Sequence, residues 1–454
     1  MEQKISFHRG TKRRLNKLKP PVQAFLENAL GSFARLLPHS QVGQWGIISQ
    51  TRKSRATWDG ATRRGIDLEL YVPQLELCLV SHIQRKPTGK KRRVLDDSEM
   101  SLCKKAVVLT TRVLELVKSA NDSSIATVYG RAFDDRVVLE HLKESNNLEF
   151  DLDPLLDFLQ LLSEQSYENK SLSYGLLIDK SAPKEAGTLQ FPRDFSGEKR
   201  FKAFTDGYHT AYKIDKYGHV IELADVEESA AGVVRGKHFY PEWSKNVALL
   251  SSKETIGFTL TRQGDILYFE GQSLRFTRRA GQWQYWNHTY LIDMLLNAAL
   301  IQRIDAKLRR QVVTTLYRYA LDISFRRSGG LFVVLKRAED LHEIVKQGDA
   351  IGDKSGTQAN KEFGRFLKNH TVMNIPRNVV LDLSAIDGAL VFSNNGKLLA
   401  YGAVLEYPKR SKVRKEEGSR SKAAKGASKY GLSIKISSDG GIKCYNSEDE
   451  LFEI

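Results

Sequence analysis

Two short stretches near the C-terminus carry residues whose types and spacing suit chemistry. The first is Asp387-Gly388-Ala389 and the second is Gly418-Ser419-Arg420-Ser421-Lys422-Ala423-Ala424. Asp387 and Arg420 are 33 residues apart. One carboxylate beside a cationic, amide-rich turn is what a nucleoside triphosphate requires. Asp387 can manage a divalent metal or a ribose hydroxyl. The turn offers backbone N–H groups and two cations to phosphate oxygens. Each stretch also has a plainer reading. Asp-Gly is a common turn, and Gly-Ser-Arg-Ser-Lys suits the capped start of a helix on a solvated face.

The elements that must position these residues follow from periodicity. Leu331-Phe332-Val333-Val334-Leu335 is a short apolar run after Ser328-Gly329-Gly330, as in a strand buried on both faces. It follows a long helical region from about Tyr290 to Ile323. Helices are also expected over 338–346, 363–367 and 421–429. Val379 to Leu383 and Ala389 to Phe392 read as buried extended segments. Asn395-Gly396 is a hairpin turn into 397–405. Lys409 to Glu417 reads as an exposed charged loop. Strands over 432–436 and 442–445 flank Asp439-Gly440-Gly441. The expected fold class is α/β (α+β), a mixed sheet flanked by helices over residues 290–454.

Two further regions precede it. Residues 1–170 read as mixed α/β. A helix opens at Pro20-Pro21, a strand runs from Ile66 to Val72, a helix carries Leu102 to Leu116, and another opens at Pro154. Residues 171–289 read as β-rich, with a hairpin over 211–223 and a meander from Ile256 to Tyr285. The aromatic residues there suit a core better than a ligand cage.

Composition narrows the class. With 41% hydrophobic and 27% charged residues the chain is globular, not disordered. No apolar run approaches a membrane span; Leu291 to Ile301 is short and contains Asp293. The first residues lack the apolar core of a signal peptide. Three scattered cysteines, with no CxxC, argue against a disulfide framework or a zinc site and for a reducing cytoplasm. The net charge of +16 attracts polyanions. It is concentrated at Lys12-Arg13-Arg14 with Lys17 and Lys19, at Arg85-Lys86 with Lys90 to Arg93, and at Lys409-Arg410 with Lys412, Arg414 and Lys415. No aromatic platform accompanies these clusters, as a single-strand binder would need. There is no Walker A motif, GxGxxG, HExxH or nucleophile elbow.

The C-terminal third resembles a diadenylate cyclase (DAC) domain. The ordered set Gly329 to Leu335, Leu383 to Val391, Asn395-Gly396-Lys397 with Ala400 to Leu405, Gly418 to Ala424, and Leu432 to Tyr445 is similar to that family's succession of motifs. Where the family has Gly-Thr-Arg-His-Arg-Ala-Ala, this chain has Gly-Ser-Arg-Ser-Lys-Ala-Ala. Arg420 is kept, Ser419 keeps a hydroxyl, Ser421 replaces an imidazole, and Lys422 keeps charge without the planar fork. The resemblance implies ATP as substrate and cyclic di-AMP as product. It implies Asp387 and Arg420 as catalytic residues, with Asp387 also holding Mn²⁺ or Mg²⁺. It implies an ATP site built from Gly388, Ala389, Gly418, Ser419, Arg420, Ser421 and Lys422. Because one such domain holds one ATP, it implies a face-to-face homodimer or higher oligomer. Residues 1–289 then become a sensor or regulatory region. Two alternatives stand beside this reading: a DAC-like nucleotide sensor that does not cyclise, and a nucleic-acid-binding protein that uses the basic clusters.

Overall fold

The computed structural model describes residues 5–48, 55–58, 65–85, 95–183, 189–197, 201, 204–233, 238–298, 304–346, 348–406 and 418–454. The fold is mixed α/β, and the chain divides into two compact units. One comprises residues 1–239 and 243–286; the other comprises 240–242 and 287–454.

The first unit has a large core cluster. The helix Pro20–Leu36 starts at its prolines and buries Val22, Phe25, Leu26, Ala29, Leu30 and Phe33 along one face. The strand Ile66–Val72 alternates strictly, with Ile66, Leu68, Leu70 and Val72 buried. The helix Asp97–Ala120 opens on a capping box, in which the Asp96 carboxylate accepts from Glu99 N–H and the Glu99 carboxylate accepts from Asp96 N–H. The strands Tyr174–Asp179 and Thr210–Asp215 pair in parallel, and the meander from Thr255–Leu260 to Gln282–Tyr285 completes a seven-stranded sheet. One cluster of buried apolar side chains runs from Leu15 to Tyr285 and takes residues from both sides of position 170. The aromatic residues Phe258, Tyr268, Phe276 and Trp283 lie inside it. Arg85 is not a surface cation: it is buried and paired with Glu99. Lys86, Lys90 to Arg93 and Lys409 to Lys415 lie outside the described residues.

The second unit is built on a six-stranded sheet. Its central strand, Gly330–Leu335, is buried at every position. That strand runs parallel to Ala389–Phe392 and antiparallel to Gly431–Ile436. Leu398–Ala403 forms one edge, and Ile442–Asn446 and Asp449–Glu453 extend the sheet to the other. Gly330 faces Ile323 of the helix Ala306–Arg326 and Ser384 of the helix Arg377–Ala385. On the opposite face Leu331, Val333, Leu335, Ala389 and Val391 pack with Ala424 and Ala427 of the helix Ser419–Ala427. Two-sided burial explains the unbroken apolar run of the central strand.

Several sequence expectations change here. Val379 to Leu383 is not extended. It lies in the helix Arg377–Ala385, where Val380, Leu381 and Ser384 are buried at helical spacing and the polar Asp382 points out. The adjacent valines suggested a strand, but tertiary packing overrides that local preference. The region from Tyr290 to Ile323 is two helices, His288–Asn297 and Ala306–Arg326. The second starts where the Asp305 carboxylate accepts from Lys307 and Leu308 N–H. The 338–346 segment holds a 3-10 helix over Ala338–Glu343. The strand Asp449–Glu453 was not expected, since its sequence has no apolar alternation beyond Phe452. Cys78, Cys103 and Cys444 are all free and buried. Among the described residues, no helix is long and apolar enough to cross a membrane.

Candidate functional site

The site forms where two turns of the second unit meet. The helix Arg377–Ala385 ends and Ile386-Asp387-Gly388 turns the chain into the strand Ala389–Phe392. Gly388 has φ +125°, a region open to glycine alone in practice. A Cβ there would lie 2.3 Å from the Gly402 carbonyl carbon and 2.8 Å from Ala403 N. The turn is therefore seated directly on the backbone of the edge strand, and the Asp387 side chain is left fully solvent-exposed.

The second turn enters the helix Ser419–Ala427, with Gly418 at its N-cap. Lys422 N–H is the first to close a helical bond, to Gly418 O. Arg420 projects from this turn across Gly329, which has φ +71° and whose Cβ would sit 2.4 Å from Arg420 Nη1. Gly329 thus clears the space that the guanidinium occupies. From there Arg420 Nη2 reaches Asp387 Oδ1 at 3.5 Å. Residues 33 apart in sequence become an acid–cation pair at one end of the sheet.

The other expected site residues fall around this pair. Gly388 and Gly418 form the two turns. Ser419 and Gly418 are exposed, while Ser421 and Lys422 are half-buried in the first helical turn. Ala389 is buried, so its side chain belongs to the core and only its backbone borders the turn.

One residue escaped the sequence reading. Lys435 lies on the strand Gly431–Ile436 and its Nζ donates to Ser421 Oγ at 2.9 Å. Burial depresses its ammonium below the usual lysine range, with Lys443 and Arg420 adding repulsion and Asp439 and Glu453 opposing it. The signal was the alternation Leu432-Ser433-Ile434-Lys435-Ile436, which puts Ser433 and Lys435 on one face. Ser433 Oγ on that face donates to Ala424 O, which locks the helix to the strand. Chemically, the arrangement offers an exposed carboxylate, a helix start rich in N–H groups, and the cations Arg420, Lys422 and Lys435 to an anionic ligand. Among the described residues, no group of three or more His, Cys, Asp or Glu side chains could by itself hold a metal.

No protein-family model matches the chain, and no curated protein matches it in sequence. Among solved structures it is similar to one described as a hypothetical membrane spanning protein from Bacillus cereus, at 19% identity and a TM-score of 0.25, covering 37% of this chain and 75% of that one. It is also similar to DacA from Staphylococcus aureus, determined as a double mutant, at 19% identity and a TM-score of 0.24, covering 33% of this chain and 90% of that one.

Proposed function

We propose that residues 287–454 form a DAC-type domain that joins two ATP molecules into cyclic di-AMP, and that the preceding unit regulates it. The observation that carries this reading is the approach of Asp387 to Arg420 over Gly329, at the start of the helix Ser419–Ala427. In the proposed reaction each ribose 3′-hydroxyl attacks the α-phosphate of the other ATP. Two P–O bonds form, two α–β bridges break, and two pyrophosphates leave. Arg420, Lys422 and the first-turn N–H groups bind the triphosphate and stabilise its charge in the transition state. Lys435 orients Ser421 and adds a third cation beside them. Asp387 takes the position of the group that manages the 3′-hydroxyl. One nucleotide per domain requires two domains face to face, so the active species is a homodimer.

A divalent metal, Mg²⁺ or Mn²⁺, fits these residues only as a companion of the nucleotide. Asp387 is exposed and, among the described residues, its ion pair is with Arg420 at 3.5 Å, which suits a cation otherwise held by phosphate and water. Bound there, such an ion would neutralise phosphate charge.

A second reading has its own support. Ser421 and Lys422 stand where the family has His and Arg, and the Ser421 hydroxyl is already engaged by Lys435. On this reading the domain binds ATP and does not cyclise it. Incubation of the purified chain with ATP and Mn²⁺ or Mg²⁺, read by mass spectrometry beside Asp387→Ala, separates the two. Cyclic di-AMP from the parent and none from the variant is the expected result. ATP retained unchanged, with binding lost in Arg420→Ala, would select the sensor. Absence of any ATP binding would overturn both.

A further inference from the structure

The first unit contains a cavity of about 520 Å³ lined by His8, Gly10, Thr11, Arg14, Gln44, Gly46, Ile47, Ile48 and Val80. It has the size of a small-molecule site. Its walls are pinned. The segment before the helix Arg9–Leu15 is tied to the strand Gly46–Ile48 by His8 N–H to Trp45 O and Trp45 N–H to Ser6 O. Gln44 Nε2 adds a bond to Phe7 O at 2.8 Å. Gly46 lacks a Cβ where one would lie 3.0 Å from the His8 ring, so His8 rests over the strand. The helix buries Thr11 and Leu15 and turns its cations outward.

Along its own stretch of sequence this wall carries cations alone. From Ile5 to Leu26 the chain has Arg9, Lys12, Arg13, Arg14, Lys17 and Lys19 and no carboxylate. The acid beside Val80 in the sheet register, Glu69, is already held by Arg55 at 2.9 Å. Among the described residues no ion pair engages Arg14 or His8. Ile48 and Val80, on the same face of the sheet as Gly46, supply the apolar part of the lining, whereas the Ile47 side chain packs against the core.

We propose that this cavity binds a small organic anion, with its apolar body on Ile48 and Val80 and its phosphate, sulfonate or carboxylate against Arg14 and His8. This is independent of the nucleotide chemistry of the second unit. The test is a fluorescence titration of the full chain with anilinonaphthalene sulfonate, followed by displacement with phenyl phosphate or inorganic phosphate. Gly10→Leu fills the cavity from a position where a Cβ meets nothing within 4 Å, and leucine favours the helix, so this variant keeps the fold. Saturable binding lost in Gly10→Leu is expected. Arg14→Glu should weaken it at least about tenfold while Lys17→Glu, off the cavity, changes it less than about twofold. Phenyl phosphate should displace the probe at concentrations where inorganic phosphate does not. Equal weakening by Arg14→Glu and Lys17→Glu would mean general attraction to a basic surface and overturn the proposal. So would parent affinity in Gly10→Leu.

Discussion

The Gly388 turn makes a demanding prediction, because its neighbours are backbone atoms that have nowhere to go. Alanine at this position brings a Cβ to 2.3 Å from the Gly402 carbonyl carbon and 2.5 Å from its oxygen, at φ +125°. Relieving the overlap requires the strands Ala389–Phe392 and Leu398–Ala403 to part by about 1 Å at the Ala389–Ala403 pair. The disfavoured dihedral alone costs about 1–3 kcal/mol. With a weakened ladder bond the total is about 3 kcal/mol. Gly418→Ala is the matched control: its φ is −62° and its Cβ meets nothing within 4 Å, so only a poorer N-cap is lost, about 1 kcal/mol at most. The assay must look at the right unit. All five tryptophans lie in the unit of residues 1–239 and 243–286, so indole fluorescence is blind to this change. Hydrogen exchange of amides in the strand Gly330–Leu335 reports it directly. About 3 kcal/mol should speed their exchange by about a hundredfold in Gly388→Ala, and about tenfold or less in Gly418→Ala. Tryptophan-detected unfolding should be unchanged in both. Exchange in Gly388→Ala that matches the control would refute the steric reasoning.

Two further predictions concern buried charge. Burial raises the Asp322 carboxyl above its ordinary range even though Arg377 Nε donates to it, and Arg377 also pairs with Glu242. Arg377→Met should destabilise the second unit by about 3 kcal/mol at neutral pH. Because a raised carboxyl contributes stability below its unfolded value, the deficit should shrink as pH falls toward 4, and a deficit that grows on acidification would contradict it. Glu99 is pushed up to about 8 by burial, against the pull of Arg85. The unfolded chain then loses that proton first, so first-unit stability should fall by a few kcal/mol between about pH 5 and 8, followed by tryptophan fluorescence. Glu99→Gln should flatten that slope; an unchanged slope would place its origin elsewhere.

The parts of the fold that could be read from sequence were those with one dominant local cause. Pro20-Pro21 fixed a helix start, strict alternation fixed Ile66–Val72, and Asn395-Gly396 fixed a hairpin. What escaped depended on contacts distant in sequence. The helix Arg377–Ala385 contains paired valines, and it takes its place through the Arg377–Asp322 contact and packing on the sheet. The shared burial of residues on both sides of position 170 in one cluster rests on contacts distant in sequence and leaves no local sign. At the site, residue types announced Asp387, Gly388 and Arg420. Lys435 did not stand out, because its role exists only once Ser421 bonds it, and Gly329 opened a recognised motif whose clearance for Arg420 shows only in the fold.

The three buried thiols give the chain an unusual chemical silence. Cys103 and Cys444 are held well above the ordinary thiol range, foremost by burial, so almost none of either exists as the reactive thiolate. While the chain is folded, these thiols offer electrophiles and oxidants little to attack. Cys444 sits in the strand Ile442–Asn446 of the second unit, whereas Cys78 and Cys103 sit in the first. Any alkylation at a given thiol therefore timestamps the opening of the unit that shelters it, and the chain carries a separate internal clock for each.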